Sequence, residues 1–340
     1  MALMVYVVPF FVTVLTIIVL RQCAPAWGLS AAPGQHRVHA GAPPLVGGIA
    51  MFLGWSCGWV LIAGSWPLWL CALVVVVAGA WDDIHEISTG ARFLAQILAA
   101  IIMIYWGEVV LHDLGYLVSD DSRFYLGRWA VALTIFGAVG VMNSINMSDG
   151  MDGLAGSMTF ISAAAILVAA WYGDLMQSVV EIGIFLTIIA AFLLFNIRFF
   201  NDKPARVFMG DAGSTLLGLL LVWYLIKHTQ EPYKLFSPVT ALWIIALPLF
   251  DAVGVLAWRV LKGTSPFNAD RGHYHHYLVD MGLTVNQALL ASLACALLFI
   301  VVGLSGYVSG VPDHLMFYLF LLLFFCYLAF RGIMDRKIKT

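Results

Sequence analysis

The chain has 340 residues, of which 62% are hydrophobic and only 11% charged. Together with a mean hydropathy of +0.94, this excludes a water-soluble globular protein and indicates a polytopic membrane protein, with membrane lipid as its surroundings. A net charge of −2 and a pI near 6.5 supply no basic field, so no nucleic-acid partner is expected.

Eleven apolar runs follow one another near residues 3–20, 44–63, 67–81, 92–107, 129–146, 154–172, 178–196, 213–229, 237–260, 286–306 and 314–331. Each is of the length a helix needs to cross a hydrocarbon core about 30 Å thick. The expected fold is an all-α integral membrane bundle of about eleven transmembrane helices. Met1 opens an apolar run with neither a positive region before it nor a small-residue cleavage pattern after it, so this run reads as a retained first helix. Of the 17 Lys and Arg, only Arg123, Arg128, Lys227 and Lys234 fall outside when the N-terminus is placed outside and the C-terminus in the cytoplasm. The positive-inside rule therefore supports that orientation. No internal repeat or linker divides the chain, so residues 1–340 read as a single domain. The cysteines Cys23, Cys57, Cys71, Cys295 and Cys326 form no Cys-x-x-Cys pair and read as small buried hydrophobes.

With this topology every polar motif lies on the cytoplasmic side. Asp82-Asp83 ends the third run; a mid-membrane carboxylate costs on the order of 3 kcal/mol, so the pair belongs at the water boundary or in a polar cavity. Helix capping accounts for one such acid, whereas a pair can also position a metal, orient a phosphate through it, or accept a proton. The central stretch is Asn143-Ser-Ile-Asn-Met-Ser-Asp-Gly-Met-Asp-Gly-Leu-Ala-Gly156. If it stays helical, Asn143, Asn146, Asp149 and Asp152 neighbour one another turn by turn. Gly150 and Gly153 would let backbone approach a ligand, and free N–H groups at the next helix start favour anions. Oxygen donors beside such backbone suggest a Mg²⁺–phosphate site, against the alternative of a polar turn.

In Met209-Gly-Asp-Ala-Gly-Ser214, Asp211 heads the eighth run, either as a simple N-cap or where a helix dipole favours a bound phosphate. Arg198, Lys203 and Arg206 just before it read singly as membrane-surface anchors. Asp251, within the ninth run, is expected to support other groups. In Ser265-Pro-Phe-Asn-Ala-Asp-Arg-Gly-His-Tyr-His-His-Tyr277, three histidines and an arginine suit anionic groups, with zinc as the rival ligand.

These motifs resemble the polyprenyl-phosphate N-acetylhexosamine-1-phosphate transferases, an integral membrane family. The matching residues are Asp82-Asp83, Asn143-x-x-Asn-x-x-Asp-Gly-x-Asp-Gly153, Phe208-Met-Gly-Asp-x-Gly-Ser214 and His273-x-His-His276. The resemblance runs from about Pro43 to Gly282. Pro44-Leu-Val-Gly-Gly48 and Ser265-Pro-Phe-x-x-Asp-Arg-x-His-x-His-His276 look most like the bacterial branch that uses undecaprenyl phosphate.

The resemblance implies an enzyme of the bacterial cytoplasmic (inner) membrane, multi-pass, with its active site on the cytoplasmic face. From UDP-N-acetylglucosamine and undecaprenyl phosphate it would make undecaprenyl-diphospho-N-acetylglucosamine and UMP, with Mg²⁺ or Mn²⁺, at the start of O-antigen, common antigen or related cell-envelope glycan synthesis. By position, Asn146 and Asp211 would be metal ligands, and Asp152 resembles the residue that reads the uracil edge. Asp82 and Asp83 correspond to acids that engage the lipid phosphate, so that Asp82, Asp83 and Asp211 are the expected catalytic residues. Arg271, His273, His275 and His276 lie where diphosphate and sugar bind. Asn143 and Asp149 match the motif, and Arg92 stands as a weak candidate for lipid-phosphate contact. Three alternatives stay open: another UDP-N-acetylhexosamine, a proton-coupled transporter with acids near the midplane, and an intramembrane metalloprotease. The pattern also leaves a homodimer open.

Overall fold

In a computed structural model of the chain, residues 3–30, 43–198, 204–263 and 272–337 are described, and they form an all-helical bundle with only isolated β-bridges between loops. The helices are α1 (Met4–Cys23), α2 (Gly47–Leu61), α3 (Trp66–His85), α4 (Thr89–Tyr105), α5 (Ala130–Ser148), α6 (Leu154–Tyr172), α7 (Met176–Asn196), α8 (Gly210–Lys227), α9 (Pro238–Ile244), α10 (Ala246–Leu261), α11 (Tyr274–Asp280), α12 (Val285–Val308) and α13 (Asp313–Lys337). Their starts carry the expected local chemistry. Pro67 and Pro238 occupy first turns, the Ser88 hydroxyl accepts from the Ala91 N–H, and Thr284 with Gln287 forms a capping box.

Seven helical stretches among the described residues are long and apolar enough to cross a membrane, and the bent pair α9–α10 would make an eighth. Helices α2 and α4 are apolar but shorter. Exposed aromatic side chains gather at one end of the bundle: Trp66 at the start of α3, Tyr105 and Trp106 at the end of α4, Trp129 before α5, and Trp171 and Tyr172 at the end of α6. Such a belt marks a membrane interface. Outward-facing leucines on α12 and α13 suit a lipid environment in the same way.

The centre of the bundle is α8, buried from Ala212 to Ile226 and packed against α2, α3, α5 and α6. A helix apolar on every side belongs in the core, and here its polar first turn is thereby held at one end of the bundle. The Pro44–Gly48 motif locks that end. The Gly47 and Gly48 N–H groups donate to the Phe208 and Met209 carbonyls at 3.0 Å each, and the Phe208 N–H donates to the Pro44 carbonyl at 2.9 Å.

The run 237–260, expected to be one span, is broken at Ile245 by an 82° bend. Pro248 explains the break: it has no N–H, and its ring would meet the Ile244 carbonyl four residues earlier. The freed carbonyl accepts a hydrogen bond from the Ser162 hydroxyl of α6 at 2.9 Å, which meets the requirement that no backbone group stay unpaired inside a bilayer. Ser162→Ala should leave this acceptor unsatisfied at a cost of about 1–3 kcal/mol, read as a lower Tm in detergent with the helix content unchanged.

Candidate active site

The four polar segments converge at one end of the bundle, around the first turn of α8. Asp83, near the end of α3, caps that turn from outside: one carboxylate oxygen accepts from the Asp211 N–H at 2.8 Å and the other from the Ala212 N–H at 3.3 Å. Free N–H groups at a helix start need such an acceptor, and a carboxylate also complements the helix dipole. Gly210, at φ +69°, admits this approach; a Cβ there would lie 2.3 Å from an Asp83 oxygen.

Asp82 is buried, with one oxygen accepting from the Ile87 N–H at 2.8 Å and the other 3.2 Å from an Arg92 guanidinium nitrogen. The same Arg92 nitrogen is 3.2 Å from Asp211, so Arg92 bridges two of the three acids. The other Asp211 oxygen accepts from the Asn146 amide at 2.8 Å, and this amide also donates to Ser214 at 2.8 Å. The Asp211 side chain keeps 31% of its surface exposed, enough to meet a ligand. Asn143 is held by Gln96 at 2.6 Å and by the Val139 carbonyl at 2.8 Å.

Helix α5 stops at Ser148, so only Asn143 and Asn146 keep the one-turn spacing; Asp149 and Asp152 lie beyond the helix. The Gly153 N–H, expected to be free for an anion, donates to the Asn196 side chain at 2.8 Å. Asp152 is buried against Arg198 at 2.5 Å and the Ala205 N–H at 2.9 Å. Arg198 is therefore no surface anchor: it neutralises the buried Asp152 carboxylate.

On the facing wall, the buried Asp251 carboxylate lies 2.7 Å from His273 Nδ1 and accepts from the Tyr274 N–H at 3.0 Å and the Tyr327 hydroxyl at 2.8 Å. This arrangement orients His273 and fixes its tautomer, leaving Nε2 for a ligand. His275 is buried with neither ring nitrogen hydrogen-bonded. Burial, reinforced by the neighbouring His276, pushes its imidazole down to about 3. Gly150 makes room for that ring, since a Cβ there would sit 2.5 Å from Nε2. Arg271 lies outside the described residues.

Two cavities meet at this centre, one of about 290 Å³ and one of about 230 Å³. Both are lined by Asn146, Asp211 and His273. The first runs along apolar residues Val75, Ala78, Phe93 and Leu256 and includes Arg92, Asn143 and Arg259. The second is polar, with Asp149, Asp152, Asn196, His275 and His276. Sequence reasoning missed Gln96, Arg198 and Arg259 as parts of the site. Gln96 and Arg259 stand within apolar helices, where a polar side chain is itself the signal.

Three carboxylates gather at the first turn of α8 with one guanidinium, which pairs with Asp82 and Asp211; the buried Asp82 oxygen beside Arg92 has this ion pair but no hydrogen bond. Hard oxygen donors with an excess of negative charge fit Mg²⁺ or Mn²⁺. Among the described residues no three His, Cys, Asp or Glu side chains are grouped to cage a metal, so substrate oxygens would complete the shell.

A membrane bundle with a polar lobe and an apolar-walled lobe meeting at acids, amides and histidines is fitted to join a charged substrate to a lipid at the membrane surface. The family model of glycosyl transferase family 4 matches residues 65–229. The undecaprenyl-phosphate alpha-N-acetylglucosaminyl 1-phosphate transferase of Escherichia coli strain K12 is 38% identical over 323 residues, covering 94% of this chain and 88% of that protein. The proteins of that name from Haemophilus influenzae (36% identical, 94% of this chain and 91% of the relative) and Yersinia pestis (35%, 94% and 88%) are similar over nearly the same extent. The chain belongs to glycosyl transferase family 4 and is an enzyme of the transferase class, as its motifs implied.

Gly210→Ala should push the Asp83 carboxylate off α8 and abolish activity while the protein still reaches the membrane, checked by immunoblot of membrane fractions. A second expectation concerns pH. The folded pKa of His275 lies below its unfolded value near 6.5, so its contribution is intact above about 6.5 and lost as pH falls toward 3, by at most about 1.4 kcal/mol per unit. Thermal melts of His275→Gln between pH 6.5 and 4 should show a flatter decline than the parent.

Proposed function

We propose that the protein transfers N-acetylglucosamine 1-phosphate from UDP-N-acetylglucosamine to undecaprenyl phosphate, giving undecaprenyl-diphospho-N-acetylglucosamine and UMP and starting synthesis of a cell-envelope glycan. The observation that carries this reading is the pair of lobes, one apolar-walled and one polar, that share Asn146, Asp211 and His273. A lipid phosphate suits the first, with its chain along Val75, Ala78 and Phe93 and its headgroup at Arg92. A nucleotide sugar suits the second, with its uracil toward Asp149 and Asp152 and its diphosphate toward the histidines.

The eleven runs are taken as eleven spans, with α2, α4 and α8 crossing inside the bundle, where neighbours shield their short or polar turns. The N-terminus then lies outside, the C-terminus in the cytoplasm, and the site on the cytoplasmic face of a bacterial inner membrane, where UDP-sugars are available. Residues 1–340 act as one domain.

Chemically, a phosphate monoester with a second pKa near 6 is mostly dianionic at neutral pH, so the lipid nucleophile needs little deprotonation. One of its oxygens attacks the β-phosphorus of UDP-N-acetylglucosamine; a new P–O bond forms, and the bond to the α-phosphate oxygen breaks, releasing UMP. The obstacle is repulsion between two anionic substrates. Mg²⁺ or Mn²⁺ held by Asp211 and the Asn146 amide oxygen would supply charge compensation for the phosphates. Arg92 and Arg259 provide fixed positive charge on the lipid side, and His273, oriented by Asp251, offers a donor to the diphosphate. Direct attack is favoured over an aspartyl-phosphate because both Asp83 oxygens accept from backbone N–H groups of α8, while Asp82 has one oxygen on the Ile87 N–H and the other ion-paired with Arg92.

Asp211→Asn should lower UMP release from the two substrates in detergent by at least about 100-fold. Chelation should abolish turnover of the parent, and Mg²⁺ or Mn²⁺ should restore it. Restoration by Zn²⁺ alone would reject the assignment.

A further inference from the structure

The last helix, α13, lies beyond the matched family segment, and the sequence motifs gave it no role. One face carries Tyr327, Arg331 and Asp335 at successive intervals of four residues, so they stack along a single stripe. Polar residues on consecutive turns of a membrane helix are costly unless each is engaged. Two of them have visible engagements. The Tyr327 hydroxyl donates to Asp251, the acid that orients His273. The Asp335 carboxylate accepts from Trp258 Nε1 at 2.6 Å, from the Tyr277 hydroxyl at 2.5 Å and from the Lys262 ammonium. Between them Arg331 is buried, with two of its nitrogens lacking a hydrogen-bond partner.

Trp258 lies in the last turn of α10 and Lys262 caps its end, and Tyr277 belongs to α11. One carboxylate therefore ties α11, which carries His275 and His276, to the end of α10, while Tyr327 holds the start of α11 at His273 through Asp251. We propose that Asp335 is a positioning residue for the nucleotide-sugar lobe: it fixes α11 against α10, and with it the placement of His273, His275 and His276. It touches neither substrate. The lipid-side lobe is lined chiefly by α3, α4 and α5, none of which bonds to Asp335, and receives only Leu256 and Arg259 from α10 and the shared His273, so the proposal predicts a much larger effect on the nucleotide sugar than on the lipid. This inference rests on the reading of the two lobes given above.

The test uses the full chain in detergent or nanodiscs. Asp335→Ala should raise the KM for UDP-N-acetylglucosamine by about tenfold, the scale at which loss of a group supporting a binding residue is felt. The KM for undecaprenyl phosphate should stay within about twofold, and Asp335→Glu should recover most of the loss. Tyr277→Phe removes a single hydroxyl and should give the same selective rise with a smaller amplitude and an unchanged Tm. Hydrogen exchange supplies a readout independent of turnover: residues 274–280 should exchange faster in Asp335→Ala, with α3 and α4 unaffected. Equal rises in both KM values, or unchanged exchange in α11, would overturn the positioning role. Failure of the parent to use the two substrates, with α11 still loosened in the variant, would instead overturn the functional reading and leave the clasp standing.

Discussion

The contact on which the centre depends is the carboxylate of Asp83 on the N–H groups of Asp211 and Ala212. A helix buried along almost its whole length cannot leave its first N–H groups without acceptors. By supplying the acceptor from α3, the chain fixes two helices in register at one end of the bundle. Asp82 is then held beside Asp211, and Arg92 reaches both. Of the two adjacent acids, Asp83 thus serves the architecture directly, and Asp82 faces the charge cluster that this architecture creates.

That cluster sets what the site can accept. Asp211 at the mouth of the apolar-walled lobe, with Asp82 and Asp83 behind it, would disfavour a phosphate beside it, and further positive charge entering there would offset this. The opposite lobe works differently. On that side Asp152 is neutralised by Arg198 and Asp251 is engaged by His273, while His275 stays neutral because it is buried. One side of the cleft therefore calls for a cation, and the other presents neutral or positive donors to an anion. This division matches a reaction in which both partners carry phosphate but only one also carries a sugar and a base.

Much of this was legible in the sequence, for physical reasons. The apolar runs mark the helices because a bilayer leaves no alternative to satisfying the backbone within each segment. Polar motifs stand out against so apolar a chain, and charge asymmetry between loops brings them to one face. What the sequence could not disclose was pairing across distance. Arg198 looks like an interfacial anchor until Asp152 is seen 2.5 Å away. Pro248 announces a disturbance, but not that Ser162 of α6 takes the released carbonyl. The end of α5 at Ser148 detaches Asp149 and Asp152 from the helical spacing that seemed to unite the four polar residues. Gln96 stands out as a polar residue in an apolar helix, but its partner, Asn143, is visible only in the structure.

The two walls of the cleft also differ in what supports them. Asp82, Asp211 and Asn146 stand on helices of the large apolar core built around α8. The histidine wall rests on a separate small cluster of Leu154, Met158, Leu247, Tyr274, Leu289 and Ala296, together with the polar ties from α13. Core packing transmits small changes in volume over short distances, and here the two packing units meet the cleft from opposite sides. A change in the small cluster can thus shift the histidines without moving the acids of α3 and α8.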